Sequence, residues 1–479
     1  MFFVSVGKPE FKFVVWREAV RSLSTDYIQR MLVMVVRFLM VAHPDKAFDV
    51  IATVCDGAAE HRSFQTYAAI LGFVHWIKGP SEGSFAGFNI GFRHPVHLHE
   101  VFNMSDPMHI LKKIVNALWH SDIPAKQRQL GMWCVTDQDE LEFSQFSLKT
   151  AQRVYGGVEY DNDSMTPEER AATLTIFPGI PVAAFNRTNF TCTNVKLSAK
   201  VVSGTIIRAI REVRATSKTR GEPPDFALGC YEGLAIHLND FVDIFNGDYG
   251  RTKFERRTKI NKMKGYVTSA DDPILERLME ILRYFDDWND MLQEFSPPTG
   301  GGELGWKKHF ITRESWFDLR LTILGFAGTC RYFFEHPDCF GVDDLSSNAD
   351  RFINPRTFSQ DILEHRFAHI RAGLGTLRNP TAAQAKERSV RGDLNRGLHG
   401  GSRANFNRNA RSGDDFNVSD YRAKIMLAVS EAETAENVRA RSRNSSVAVL
   451  CPRYITVEPL SAPPVVDPPA RPPRARQQL

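Results

Sequence analysis

At 479 residues the chain has room for two or three domains and a sizeable core, and its 43% apolar and 24% charged content is that of ordinary globular protein. A net charge of +4 excludes a strongly acidic or basic protein overall, although arginine is frequent and lysine almost vanishes beyond Arg388. The first residues turn polar too quickly for a secretory signal. The apolar run from Ile28 to Ala42 is broken by Arg30 and Arg37 and is too short for a membrane span. Seven cysteines without paired zinc spacing read as reduced thiols of an intracellular chain.

Residues 2–6 and 11–16 are Phe/Val-rich runs on either side of Gly7-Lys8-Pro9, the pattern of a hairpin. Ser24-Thr25-Asp26 then caps an apolar helix that ends near His43-Pro44. Phe48 to Cys55 has the pattern of a buried strand and runs into Asp56-Gly57, which by itself signals a turn. His97 and His99 alternate along a strand; without a third ligand at clear spacing they read as a partly exposed histidine face. A helix begins after Asp106, with Pro107 in the first turn and Asp106 as its cap.

Residues 120–345 read as mainly helical. Gly300 to Gly305 falls short of a phosphate-binding loop because Trp306 stands where a lysine is required. Next comes a helix capped by Ser359, with Ile362, Leu363, Phe367, Ile370 and Leu374 at helical spacing. On it Asp361 and Glu364, three residues apart, share one side. Residues 397–414 (Gly, Asn, Arg, Ser) and 461–479 (Pro, Arg) lack apolar periodicity and read as disordered, with one short helix over 419–437 between them.

Several of these blocks resemble, in order, those of P-element-type DNA transposases, relatives of the THAP-domain transposases. They are Val54-Cys-Asp-Gly57, the Asp-Pro-x-His-x-x-Lys run from Asp106 to Lys112, Cys192 to Ser203, Leu238 to Asn246, and Ser359-Gln-Asp-Ile-Leu-Glu364 with Phe367 and Asn379-Pro-Thr381. The resemblance spans roughly residues 10–390 in discontinuous blocks. It implies a mixed α/β fold: an RNase H-like core interrupted by a mainly α-helical insertion, followed by a disordered tail. The corresponding domains are 1–120 and 346–390 for the core, 121–345 for a GTP-binding insertion, and 391–479 for the tail.

Residue by residue, the resemblance makes Asp56 and Glu364 catalytic acids and Mg²⁺ ligands, with Asp106, His109 and Asp361 in support. Val195, Asp243 and Asn246 become the nucleotide-binding residues, an aspartate being able to accept two coplanar hydrogen bonds from a guanine. The implied reaction is metal-dependent cleavage and transfer of DNA strands, in which paired Mg²⁺ ions about 3.5–4 Å apart serve the attacking and leaving oxygens. The implied partners are DNA and GTP, with a second copy of the chain as a candidate partner whose presence the sequence leaves open, in a nuclear protein without a membrane span.

The chain departs from the family pattern at three places. His61 stands where asparagine is usual, and Val242 rather than an aromatic precedes Asp243, with Phe241 one residue earlier. The hairpin at 2–16 and its flank offer only Glu10 and Glu18 for the first acid. By this reading the chain is a P-element-like transposase, or an N-terminally truncated or domesticated derivative, that does not cut or join DNA unaided. The alternative is a non-catalytic DNA- or protein-binding relic. The Arg-rich region after Arg388 is expected to contact DNA electrostatically, without sequence preference.

Overall fold

The computed structural model describes residues 2–4 and 12–14, parts of 24–32, and most of 50–359; residues 68–75, 79–88, 94–99, 157–179, 247–264, 298–304, 337–351 and all beyond 359 lie outside the described residues. The chain divides into two compact units, 1–410 and 411–479, and every described residue belongs to the first. Outside the described residues therefore fall His97 and His99, the glycines before Gly305, the helix carrying Asp361 and Glu364, the short helix at 419–437 and the tail.

The first two Phe/Val-rich runs pair with each other over 2–4 and 12–14; the Gly7-Lys8-Pro9 turn between them lies outside the described residues. β1 (Phe2–Val4) pairs antiparallel with β2 (Lys12–Val14), Phe3 opposite Phe13. Ser24 caps the following helical turn, its Oγ accepting the Tyr27 N–H at 3.2 Å.

The main sheet contains β3 (Ala52–Cys55), β4 (Trp76–Lys78), β5 (Asn89–Arg93) and β6 (Glu100–Ser105), with α1 (Ala59–Tyr67) after β3. Its order is β3-β6-β5-β4, with β3 parallel to β6 and the other pairs antiparallel. From Val101 to Ser105 every residue of β6 is buried, as befits a strand covered on both faces. α2 (Pro107–His120) follows at once. Pro107 occupies its first turn and Asp106 caps it, accepting the Met108 N–H at 2.8 Å.

The next stretch is not wholly helical. β7 (Gly131–Val135) and β8 (Leu141–Gln145) form a hairpin that turns through Asp139 at φ 59°. Trp133 and Phe143 face each other across it with ring centroids 5.3 Å apart. Trp288 Nε1 donates to the Gly131 carbonyl at 2.8 Å and Trp133 Nε1 to the Phe295 carbonyl at 2.7 Å. These tertiary partners, not local propensity, hold the hairpin.

Helices follow: α3 (Leu148–Gly156), α4 (Val195–Val201), α5 (Gly204–Thr219), α6 (Phe226–Asn246), α7 (Pro273–Glu294) and α8 (Arg313–Glu335). The described residues thus form a mixed α/β fold with a small sheet among many helices. Among them, no helix is long and apolar enough to cross a membrane.

The contact that positions the site is α8 lying on β6. A Cβ on Gly325 would collide with the Asn103 carbonyl, so only glycine lets the helix approach so closely. One turn earlier, Thr322 Oγ1 donates to the Ser105 carbonyl at 2.7 Å and accepts the Ser105 N–H at 3.0 Å. Phe102 of β6 meets Tyr332 farther along α8, with centroids 6.4 Å apart.

Candidate active site

Two neighbouring parallel strands end in aspartate at the same level. Cys55 is opposite Ser105 in the β3–β6 register, and the Asp106 N–H donates to the Cys55 carbonyl at 2.7 Å. Asp56 and Asp106 therefore follow the last rung of one ladder, at the carboxyl edge of the sheet where open α/β folds place their ligands. Their environments differ. The Asp106 side chain is only 3% exposed: Oδ1 caps α2, and Oδ2 lies 3.5 Å from His109 Nδ1. The Asp56 side chain is 46% exposed, and its Oδ1 meets His61 Nδ1 at 2.6 Å and the Ala58 N–H at 3.0 Å.

The His61 hydrogen bond, helped by the Ala58 N–H and by the charges of His61 and His109, holds the Asp56 carboxyl down at about 2 against the opposing effect of burial. Asp56 is therefore a carboxylate at any physiological pH. Next to it, burial first and then the charges of Asp56 and Asp318 push the Cys55 thiol up to about 12, so that sulfur stays protonated.

Beneath Asp56 lies a charge cluster that the motifs do not mark. The Asp318 side chain, on α8, is 0% exposed and takes Lys113 Nζ at 2.7 Å, Arg62 NH1 at 3.4 Å and the Ser105 hydroxyl at 3.1 Å. Burial pushes its carboxyl above the ordinary value, while Lys113, Arg62 and Ser105 pull against that. Gly57 roofs the cluster at φ +71°, and its carbonyl accepts from both Lys113 Nζ, at 3.2 Å, and Arg62 NH1. A Cβ there would stand 2.7 Å from Asp318 Oδ2 and 2.9 Å from Lys113 Nζ, so the Asp-Gly turn requires its glycine twice over.

In the Asp-Pro-x-His-x-x-Lys block it is thus Lys113, one residue past the motif lysine, that joins the cluster. A lone acid inside the apolar run Trp316 to Leu324 was the available signal for Asp318, since a buried carboxylate needs a partner. Asn116, a turn beyond Lys113, is also structural. It donates to the Cys192 carbonyl at 3.2 Å and accepts from buried Arg187 at 2.8 Å, while Arg187 donates to Ser198 Oγ at 2.9 Å.

The carboxylates among the described residues do not by themselves make a magnesium site. Asp106 is buried and occupied as a helix cap, and no group of three His, Cys, Asp or Glu side chains that could hold a metal occurs among the described residues. Asp361 and Glu364 lie outside them.

Of the nucleotide-binding candidates, Val195 opens α4 just after its cap Asn194, whose Oδ1 accepts the Leu197 N–H at 3.3 Å. Asp243 and Asn246 share one side of the last turns of α6. Asp243 is half-buried and its Oδ2 accepts from Asn239 at 3.3 Å, whereas Asn246 is exposed. Phe241 is fully buried and packs on Phe245, centroids 5.1 Å apart, so its ring serves the core rather than a base.

No protein-family model and no curated protein matches the chain. Among solved structures it is similar to the Drosophila P element transposase strand transfer complex, at 20% identity over 82% of this chain and 69% of that chain, with a TM-score of 0.53. At that identity the likeness is one of fold: this chain has a transposase-like fold.

Proposed function

We propose that the chain is a P-element-type transposase core, or a derivative of one, that acts on the phosphodiester backbone of DNA in the nucleus. In this reading the sheet from β3 to β6 is the RNase H-like core and residues 121–345 are its helical insertion. The observation that carries the reading is the pair Asp56 and Asp106 ending one parallel ladder, within a fold like that of a transposase captured in strand transfer. Asp56 is the exposed, ionised acid of the pair, and Asp106 fixes the start of α2, from which Lys113 reaches under the site. Mg²⁺ and GTP are its proposed cofactors, the first at Asp56 with Glu364, the second at Val195, Asp243 and Asn246.

A second reading, a DNA-binding relic without catalysis, is favoured by one specific fact: Asp106 is buried in its capping role, which leaves Asp56 as the solvent-facing acid of the pair. One assay separates the two. End-labelled DNA is incubated with the full chain, Mg²⁺ and GTP, beside Asp56→Asn and Glu364→Gln. Cleaved or joined product that disappears in both variants supports the enzyme. DNA binding without product, unchanged by either substitution, supports the relic. A chain that fails to bind DNA even at low salt would remove both.

A further inference from the structure

A cavity of about 680 Å³ opens beside the candidate site, with Gly57, the residue after Asp56, in its wall. That volume lies within the range of small-ligand pockets and exceeds what one simple anion needs. Arg62, Lys113, Lys126 and Arg128 all line it, against a single lining acid, Glu314. Even with Asp318 counted beneath Lys113 and Arg62, the four permanent cations outnumber the carboxylates by two. His120 also lines the cavity, and burial together with the nearby Lys126 holds its imidazole below the ordinary value.

Three of these cations, Arg62, Lys113 and Arg128, are held from behind, while Lys126 stands exposed at the rim. Lys113 is fixed by Asp318 at 2.7 Å and the Gly57 carbonyl at 3.2 Å. Arg128 donates to the Lys307 carbonyl at 3.0 Å and to the Phe310 carbonyl. Donors already fixed in place cost little ordering entropy when an anion arrives. The first turn of α8 adds Thr312 and Ser315 to the lining, and its backbone dipole has the same sign as the side chains. A fixed cationic wall with a helix start matches the chemistry of phosphate, whose oxygens accept several charge-assisted hydrogen bonds at once.

We infer that this cavity is a phosphate-binding pocket, taking either backbone phosphates of a nucleic-acid strand or a free polyphosphate, next to Asp56. The inference stands on the cavity and its charges and does not require the transposase reading. The probe is inorganic tripolyphosphate, titrated calorimetrically into the full chain at low salt. Wild type binds it; Lys126→Glu, at an exposed position, weakens binding about tenfold, as loss of a cation–phosphate contact at a wet surface would. Lys126→Arg retains binding, and Lys218→Glu, an equal charge change at an exposed position in the last turn of α5, leaves it unaltered.

A fluorescent DNA oligonucleotide tells the sources apart. If tripolyphosphate displaces it and Lys126→Glu weakens both, the pocket serves the backbone. If only tripolyphosphate responds, the pocket serves a free polyphosphate. Binding of tripolyphosphate with no DNA binding at all removes the proposed function and leaves the pocket standing. No heat with tripolyphosphate at millimolar concentration, or an equal loss in Lys218→Glu, overturns the inference.

Discussion

Replacing Lys113 by methionine tests the buried cluster most directly. The substitution keeps the length of the aliphatic stem and removes the ammonium 2.7 Å from a carboxylate whose side chain is 0% exposed. Breaking such a pair from one side typically costs about 3–5 kcal/mol because the remaining charge cannot reach water. Here Arg62 at 3.4 Å and the Ser105 hydroxyl at 3.1 Å still face Asp318, which places the loss near the lower figure, about 3 kcal/mol. For a unit of this size, residues 1–410, that corresponds to a fall in melting temperature of about 3–4 °C.

The same variant has a pH signature. Burial raises the Asp318 carboxyl above its unfolded value of 3.8, so the folded state binds the proton more tightly. Stability from this group is therefore present at low pH and is withdrawn as pH rises through the folded value. Without Lys113 that value rises further. The melting gap between wild type and Lys113→Met should accordingly narrow as pH falls from neutrality towards the unfolded value of 3.8. Adding Asp318→Asn should recover at least half of the loss at neutral pH, since no buried charge then remains unpaired. The assay is thermal unfolding followed by circular dichroism, each variant compared with wild type at the same pH. A fall of less than about 1 °C, or a gap that stays constant with pH, would refute the reasoning.

Other expectations follow from the same geometry. His61→Ala should let the Asp56 midpoint climb from about 2 towards 3.8 in a carboxyl carbon NMR titration; because a depressed acid stabilises the fold above its unfolded value, the variant should also lose less stability than wild type as pH falls from about 4 to about 2. Gly325→Val should lower the unfolding free energy in denaturant by about 1–3 kcal/mol, the usual range for overpacking, because its side chain meets the Asn103 carbonyl. His237 is held down at about 4 by burial and by Arg277, so the unfolded chain takes a proton that the folded chain refuses. His237→Gln should flatten the loss of stability that wild type shows as pH drops from 6.5 towards 4, as read from urea midpoints.

The parts of the fold that local chemistry dictates could be read from the sequence. Proline after aspartate at residues 106–107 announces a capped helix, Gly-Lys-Pro announces a hairpin, and the strand into Asp56-Gly57 is where its pattern puts it, though shorter. The β7–β8 hairpin was not legible because its strands depend on Trp288 and Phe295, more than 150 positions away. The same limit hid the charge cluster. Motif spacing singles out Asp56, Asp106 and Lys112, but nothing local says that Lys113 and Arg62 meet an acid 205 and 256 positions later. It also left open how two similar aspartates divide their roles. That follows from what surrounds each side chain, a helix start for one and a histidine near solvent for the other.

The hydrogen bonds between Ser105 and Thr322 span 217 positions, and this separation sets a schedule for the newly made chain. At roughly 5–20 residues per second, β6 leaves the ribosome about 10–40 s before the helix that will cover it. Throughout that interval Phe102 and Met104, both interior in the finished molecule, have no α8 to lie against. Chaperones that bind extended apolar strands therefore have a long window at this sheet. Nascent chains stalled before residue 313 should be held by them, and chains released beyond residue 335 should shed them as α8 docks.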